Sequence, residues 1–271
     1  MNTWSQWQTD PFLIGSILVT GWAYSILTGP LRSILANHKP YPGKEAAFFA
    51  LGLVTYYLAV GSPIGTLGRG LLFSAQEVQI NVLMYLSSLF IVLGIPSWLV
   101  DTPAKKIRYF RPTFKFFVHP VVAGLSFTLV YWIWHIPQFL EAALHSRLLL
   151  TAMHFSLFLA SILMWWNIAS RSKRFPPLQY GIQILFLFVL MVAQTPVAGF
   201  LAFAKQTLYP TYAGAAGIFP AHDPLGDQML GGFISKFSNM VASLAVISTA
   251  FYKWSSPQED SPLDNNRVNP Q

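Results

Sequence analysis

The side chains with the most chemistry to offer sit in apolar surroundings. His119, His135 and His154, the carboxylates Glu77 and Asp227, and Lys236 lie within or at the margins of long hydrophobic stretches. An ionisable group in hydrocarbon costs about 2.5–3.5 kcal/mol on insertion scales, so it faces a partner or a cavity. Met153 stands beside His154, and the chain contains no cysteine. Imidazole nitrogen and thioether sulfur without thiolate suit copper, Cu(I) in particular, while neutral imidazole also suits zinc or haem iron. A carboxylate near such ligands orients or tunes them. The absence of cysteine excludes a disulfide framework, iron–sulfur ligation and thiolate chaperoning. No phosphate-cradling glycine loop, HExxH helix or nucleophile elbow occurs, so a non-enzymatic role is expected.

Those groups need elements to hold them, and composition says which. Of 271 residues, 54% are hydrophobic and 10% charged, against about 25% charged in soluble domains. The apolar residues form blocks of about twenty, the length that carries a helix across ~30 Å of hydrocarbon. An all-α, polytopic seven-helix bundle is expected, with spans at 12–31, 46–62, 78–100, 117–137, 148–169, 178–204 and 230–252. Residues 1–254 form one domain in this reading, and 255–271 a disordered cytoplasmic tail. Met1 to Asp10 lacks Lys and Arg, so the first helix is expected to be retained and not cleaved as a signal peptide.

Charge sets the orientation. With the N-terminus outside, the inner segments hold 13 of the 17 Lys and Arg, and the outer segments only Arg69, Arg147 and Lys205. The positive-inside rule then places the C-terminus in the cytoplasm. The net charge of +7 reads as basic cytoplasmic loops and not as nucleic-acid binding. Trp165 and Trp166 are expected at the inner membrane interface.

In this topology the polar groups gather in the outer half of the bundle. The third span begins with Gln76, Glu77, Gln79 and Asn81; the fourth ends at His135; the fifth begins with Met153 and His154. The sixth leaves past Gln194-Thr195-Pro196, and the seventh follows Asp227-Gln228 with Lys236 behind. A shared wet pocket open to the outside follows. His119, next to Pro120, is the main polar group of the inner half. Plainer roles stand beside these: His135 as a helix end, Asp227 as the N-cap of the last helix, Glu77 and Lys236 as a structural ion pair. The same pocket would also serve a small-molecule transporter or ligand-binding membrane protein. A lysine in the last of seven spans also fits a retinal protein, though Gly232 stands where such a protein would carry Asp.

Several segments then line up in order: Ser74-Ala75, Leu93-Gly94-Ile95-Pro96, His119-Pro120, Trp134-His135-Ile136-Pro137, His154 with Trp165-Trp166, Leu208-Tyr209-Pro210-Thr211-Tyr212-Ala213 and Asp227-Gln228. Over roughly residues 50–250 this series resembles the CtaG family of Bacillus-type cytochrome c oxidase assembly proteins. The resemblance implies a multi-pass protein of the bacterial cytoplasmic membrane that handles or delivers copper to a haem–copper oxidase from the extracytoplasmic side. It implies oxidase subunit I or other assembly factors as partners, and it carries over His119, His135, His154, Tyr209, Tyr212, Asp227 and Gln228. The expected metal ligands are His135 and His154, with Gln76, Glu77, Asn81, Met153, Gln194 and Lys236 around the pocket. Members resembling this chain read Ser-x-His-Met-x-x-His-Met at the start of the third span. Here that stretch is Ser74-Ala75-Gln76-Glu77-Val78-Gln79-Ile80-Asn81, and Leu150 replaces a further histidine.

Overall fold

A computed structural model describes residues 7–36, 40–215 and 223–256, and every regular element among them is helical. The elements that build the bundle are α1 (Pro11–Thr28), α2 (Gly43–Gly61), α3 (Phe73–Gly94), α4 (Phe110–Phe117), α5 (Pro120–His135), α6 (Arg147–Ala169), α7 (Tyr180–Ala202) and α8 (Pro224–Ser255). Five of these are long and apolar enough to cross a membrane, and six if α4 and α5, bent by 56°, form one span. α2 is 19 residues long but opens with Lys44 and Glu45, which dilute its apolar character.

The span limits move where proline and capping decide them. α3 starts at Phe73, five residues before the expected 78, and stops at Gly94 ahead of Pro96; Ser97–Lys106 is a separate helix. Proline disfavours helical backbone in the residue before it, which sets that stop. α7 is interrupted at Gln194, where Thr195-Pro196 restarts the helix. α8 runs 32 residues, well beyond the expected 230–252. The expected tail from 257 onward lies outside the described residues.

α3 is the axis of the bundle. It is 67% buried, whereas α1 is 11% buried and lies at the periphery. α2 packs along its C-terminal half, α8 along its N-terminal half, and α6 against its centre and C-terminal half. Close approach depends on small residues, as is usual between helices that gain little from hydrophobic association in lipid. A Cβ on Gly94 would lie 2.5 Å from the Phe49 nitrogen, and one on Gly231 would lie 2.5 Å from the Phe73 ring. At the Gly94 contact Tyr24 stacks on Phe49 and donates its hydroxyl to the Gly94 carbonyl at 2.9 Å.

Midway, Val82–Ser87 is a π-helical turn. Widening frees carbonyls from the regular ladder, and such turns recur at functional sites. Here Trp165 Nε1 donates to the Met84 carbonyl at 2.9 Å, and Ser87 Oγ reaches across to the Gly52 carbonyl at 2.8 Å. Trp165 and Trp166 are therefore core residues, buried to 2% and 5% exposure, and not interfacial anchors. A carbonyl accepts each indole N–H, since Trp166 Nε1 bonds the Phe175 carbonyl at 3.2 Å.

Gly94→Ala is expected to lower the unfolding midpoint in detergent, at a cost of about 1–3 kcal/mol for overpacking. Gly199→Ala, inside a helix and where a Cβ meets nothing within 4 Å, should hold or raise the midpoint, because alanine is the better helix former.

Candidate functional site

At the end of the bundle where α3 and α6 begin and α5 ends, α3 places four polar residues within two turns. Gln76, Glu77 and Gln79 are fully buried and Asn81 nearly so. Asn81 Nδ2 turns back to the Glu77 carbonyl at 2.7 Å. Glu77 reaches His135, the last residue of α5, with 2.7 Å between Oε1 and Nε2. Both side chains are shielded, at 0% and 2% exposure.

The partners of His135 restrict its chemistry. Nδ1 lies 2.7 Å from the Tyr131 carbonyl, which can only accept, so Nδ1 carries hydrogen. Nε2 then either accepts from a protonated Glu77 or belongs to an imidazolium facing a carboxylate. In both forms the pair is neutral as a unit, which suits a low-dielectric interior. Tyr131 lies against the imidazole, with centroids 4.0 Å apart, and its hydroxyl shares a 2.6 Å hydrogen bond with Ser235. Tyr209 donates to the His135 carbonyl at 2.9 Å. Glu77 Oε2 and both side-chain polar atoms of Gln76 and of Gln79 have no hydrogen-bond partner among the described residues.

The surrounding loops are tied to this end by the residues the sequence singled out. Asp227 does not cap its own helix; Asp223 does, accepting from Leu225 N at 3.1 Å. Asp227 instead caps α3, accepting from Phe73 N at 2.6 Å, Ser74 N at 3.3 Å and the Ser74 hydroxyl. That cross-helix cap explains why α3 begins at Phe73. Gln228 accepts from Leu208 N at 2.7 Å, and Tyr212 donates to the Gly68 carbonyl at 2.6 Å.

Other expected members lie elsewhere. Lys236 does not pair with Glu77: its ammonium donates to Thr195 Oγ1 at 2.7 Å and to the Met191 carbonyl at 3.1 Å, both on α7. Glu77 already has His135, and Lys236 lies nearer the surface. His119 is exposed at the start of α5, the opposite end from His135. Gln194 belongs to a separate buried knot in which its Oε1 accepts from Tyr85 at 2.9 Å and from Asn239 at 2.6 Å. Met153 is fully buried packing.

His154 is 3% exposed, and its Nε2 has no hydrogen-bond partner among the described residues. It lines a cavity of about 610 Å³ between α1, α2 and α6, whose lining includes neither His135 nor Glu77. The expected single pocket is thus two places: a closed Glu77–His135 pair and an open slot beside His154. Asp10 and Arg147 form an ion pair at the slot's mouth. Desolvation works against the Asp10 carboxylate, but hydrogen bonds from Phe12 N–H and Arg147, with the arginine's charge, outweigh it and hold its carboxyl below the usual range.

Sequence reading missed Tyr131, Ser235 and Asn239. For the latter two the signal was present as the four-residue spacing Gly231, Ser235, Asn239, Ser243, all buried on one face of α8. It also passed over Asp10, Arg69 and Arg147, which are ordinary loop charges until the fold gathers them.

Fold and site together define a class: an all-helical membrane-type protein whose buried polar centre is a carboxylate–imidazole pair. The model of the cytochrome c oxidase caa3 assembly factor family (Caa3_CtaG) matches residues 22–256, and the chain belongs to that family. No curated protein and no solved structure matches the chain.

Removing one partner of a buried pair strands the other, at about 3–5 kcal/mol. Glu77→Ala is therefore expected to lower the unfolding midpoint far more than Lys236→Ala. In a double-mutant cycle, Glu77→Ala and His135→Ala should be strongly non-additive.

Proposed function

We propose that this assembly factor holds copper in transit to a haem–copper oxidase, at His135 and Glu77. The observation that carries the reading is the orientation of His135. With Nδ1–H committed to the Tyr131 carbonyl, Nε2 is the nitrogen turned to Glu77 and the one that would exchange that contact for a metal ion, the arrangement found when a second partner orients a metal-binding imidazole. Glu77 adds a carboxylate whose Oε2 has no partner among the described residues. Imidazole nitrogen with carboxylate oxygen fits copper in its divalent form better than Cu(I), which prefers softer donors.

Copper is cargo in this reading, not a resident cofactor. Among the described residues no three His, Asp or Glu side chains gather into a metal cage. An incomplete donor set suits release to an acceptor, whereas structural sites are closed by a full set of ligands. The acceptor we propose is oxidase subunit I or another assembly factor in the bacterial cytoplasmic membrane. His154, the second imidazole of the expected metal pair, stands in the neighbouring slot and outside the copper-holding pair. The protein carries its cargo without catalysing a covalent step.

The topology is part of the proposal. α2 reaches about 28 Å at ~1.5 Å per residue, enough for the remaining span of a seven-helix bundle. The end opposite His135 bears Lys105, Lys106, Arg171, Lys173 and Arg174, which supports a cytoplasmic location for that end and an outside N-terminus. Asp101 organises part of this basic surface, accepting from Ser172 Oγ at 2.5 Å, Lys173 N at 3.1 Å and Arg174 N at 3.2 Å.

Protein purified from copper-replete cells is expected to carry copper, His135→Ala to lose it and His154→Ala to retain it, by elemental analysis. Metal-free wild type overturns the copper reading. Because the chain has no cysteine, single cysteines report sidedness directly. In intact cells Lys205→Cys should react with an impermeant maleimide, and Lys173→Cys only after lysis.

A further inference from the structure

The slot beside His154 has a chemistry of its own, independent of the copper reading. Its α6 wall is one helix face, with Leu150, Thr151 and His154 three, four and seven residues on from Arg147. Arg147 marks the mouth, and His154 lies seven residues deeper, about 10 Å at ~1.5 Å per residue. Phe12, Leu13 and Val60 make the other walls apolar.

The mouth is cationic. Asp10 is the only carboxylate among the lining residues, and Arg147 neutralises it. Arg147 also lies 5.2 Å over the Phe12 ring, which fixes it at the rim. Arg69 lines the same mouth, and no hydrogen bond or ion pair among the described residues engages its guanidinium. One positive charge is left over. Such a mouth disfavours a bare metal cation and favours an anion.

Below it, the buried imidazole of His154 presents an Nε2 with no partner among the described residues. An unpaired polar nitrogen on an apolar wall is costly until something bonds it. The ligand that satisfies all three features has an anionic head, a hydrogen-bonding group about two helical turns below it, and an apolar tail. We propose that this slot binds an acidic phospholipid, its phosphate at Arg69 and Arg147, an ester oxygen at His154 Nε2, and an acyl chain between α1 and α2. A net-negative head is preferred over a zwitterionic one because the latter brings its own cation to a mouth already holding a spare guanidinium.

The test uses the full chain in nanodiscs of equal phosphatidylglycerol and phosphatidylcholine, with retained lipid counted by native mass spectrometry. Wild type is expected to keep phosphatidylglycerol in preference. Arg69→Gln, at an exposed position, removes the spare guanidinium and should lower that preference roughly fivefold, the worth of one basic residue beside an anionic head. Thr151→Trp, also at an exposed position, fills the slot and should reduce retention of both lipids. Equal retention of the two lipids by wild type, or a preference untouched by Arg69→Gln, overturns the proposal. Displacement of phosphatidylglycerol by millimolar inorganic phosphate also overturns it, by assigning the mouth to a free anion.

Discussion

A buried carboxylate cannot stand alone inside an apolar bundle, and the bond between Glu77 and His135 meets that constraint at 2.7 Å. Its consequences spread outward. To deliver His135 to Glu77, α5 must end beside the first turns of α3, with Tyr131 against the imidazole and Tyr209 holding the His135 carbonyl. To bring Glu77 to that depth, α3 must begin at Phe73, which the Asp227 cap enforces from α8. Gly231 then lets α8 lie close enough to α3 for that cap to reach, because any side chain there would strike Phe73 and Glu77. One polar contact thus fixes the relation of three helices.

The central helix carries a second burden in its π-helical turn. A carbonyl released in hydrocarbon must find a donor within the protein, since neither lipid nor water supplies one. The Ser88 hydroxyl and Trp165 both donate to the Met84 carbonyl, and the latter places a large aromatic ring against the middle of α3 and joins α6 to the axis. Thr55, one turn along α2 from the Gly52 carbonyl that receives Ser87, bonds that same carbonyl at 3.0 Å. The interior is held by backbone oxygens receiving side-chain donors as much as by apolar packing, consistent with the weak drive for helices to associate in lipid.

What could be read in advance follows from which signals are local. Apolar length located the helices, and the positions of Glu77, His135 and Asp227 at helix ends marked the polar end of the bundle. Pairing was not legible, because it depends on rotation about helix axes. Lys236 and Glu77 lie on neighbouring helices, yet the lysine turns to α7 and the carboxylate to α5. Trp165-Trp166 looked interfacial because tryptophan usually sits there; the π-helical turn that claims Trp165 leaves no trace in hydrophobic periodicity. Asp227 read as a cap correctly in kind and wrongly in target, since its own helix is capped by Asp223 four residues earlier.

Two polar places at one end of the bundle raise the question of why they are kept apart. The Glu77–His135 pair is neutral as a unit, and the proposed copper ion, taking the place of its proton, would add charge that a closed, apolar setting resists. An uncompensated guanidinium directly above would raise that cost further, because Coulomb interactions grow as the local dielectric falls. Arg69 and Arg147 instead face the slot between α1, α2 and α6, whose lining excludes both members of the pair. The proposed copper at His135 and the proposed lipid beside His154 are compatible on one scaffold because the slot's lining includes neither member of the pair. Leu150, buried on the helix that carries His154, lines the slot, and Met153 is buried core packing on the same helix. The chain carries Leu150 where the resemblance expects a further histidine, and a leucine there leaves His154 as the one imidazole on the slot's α6 wall.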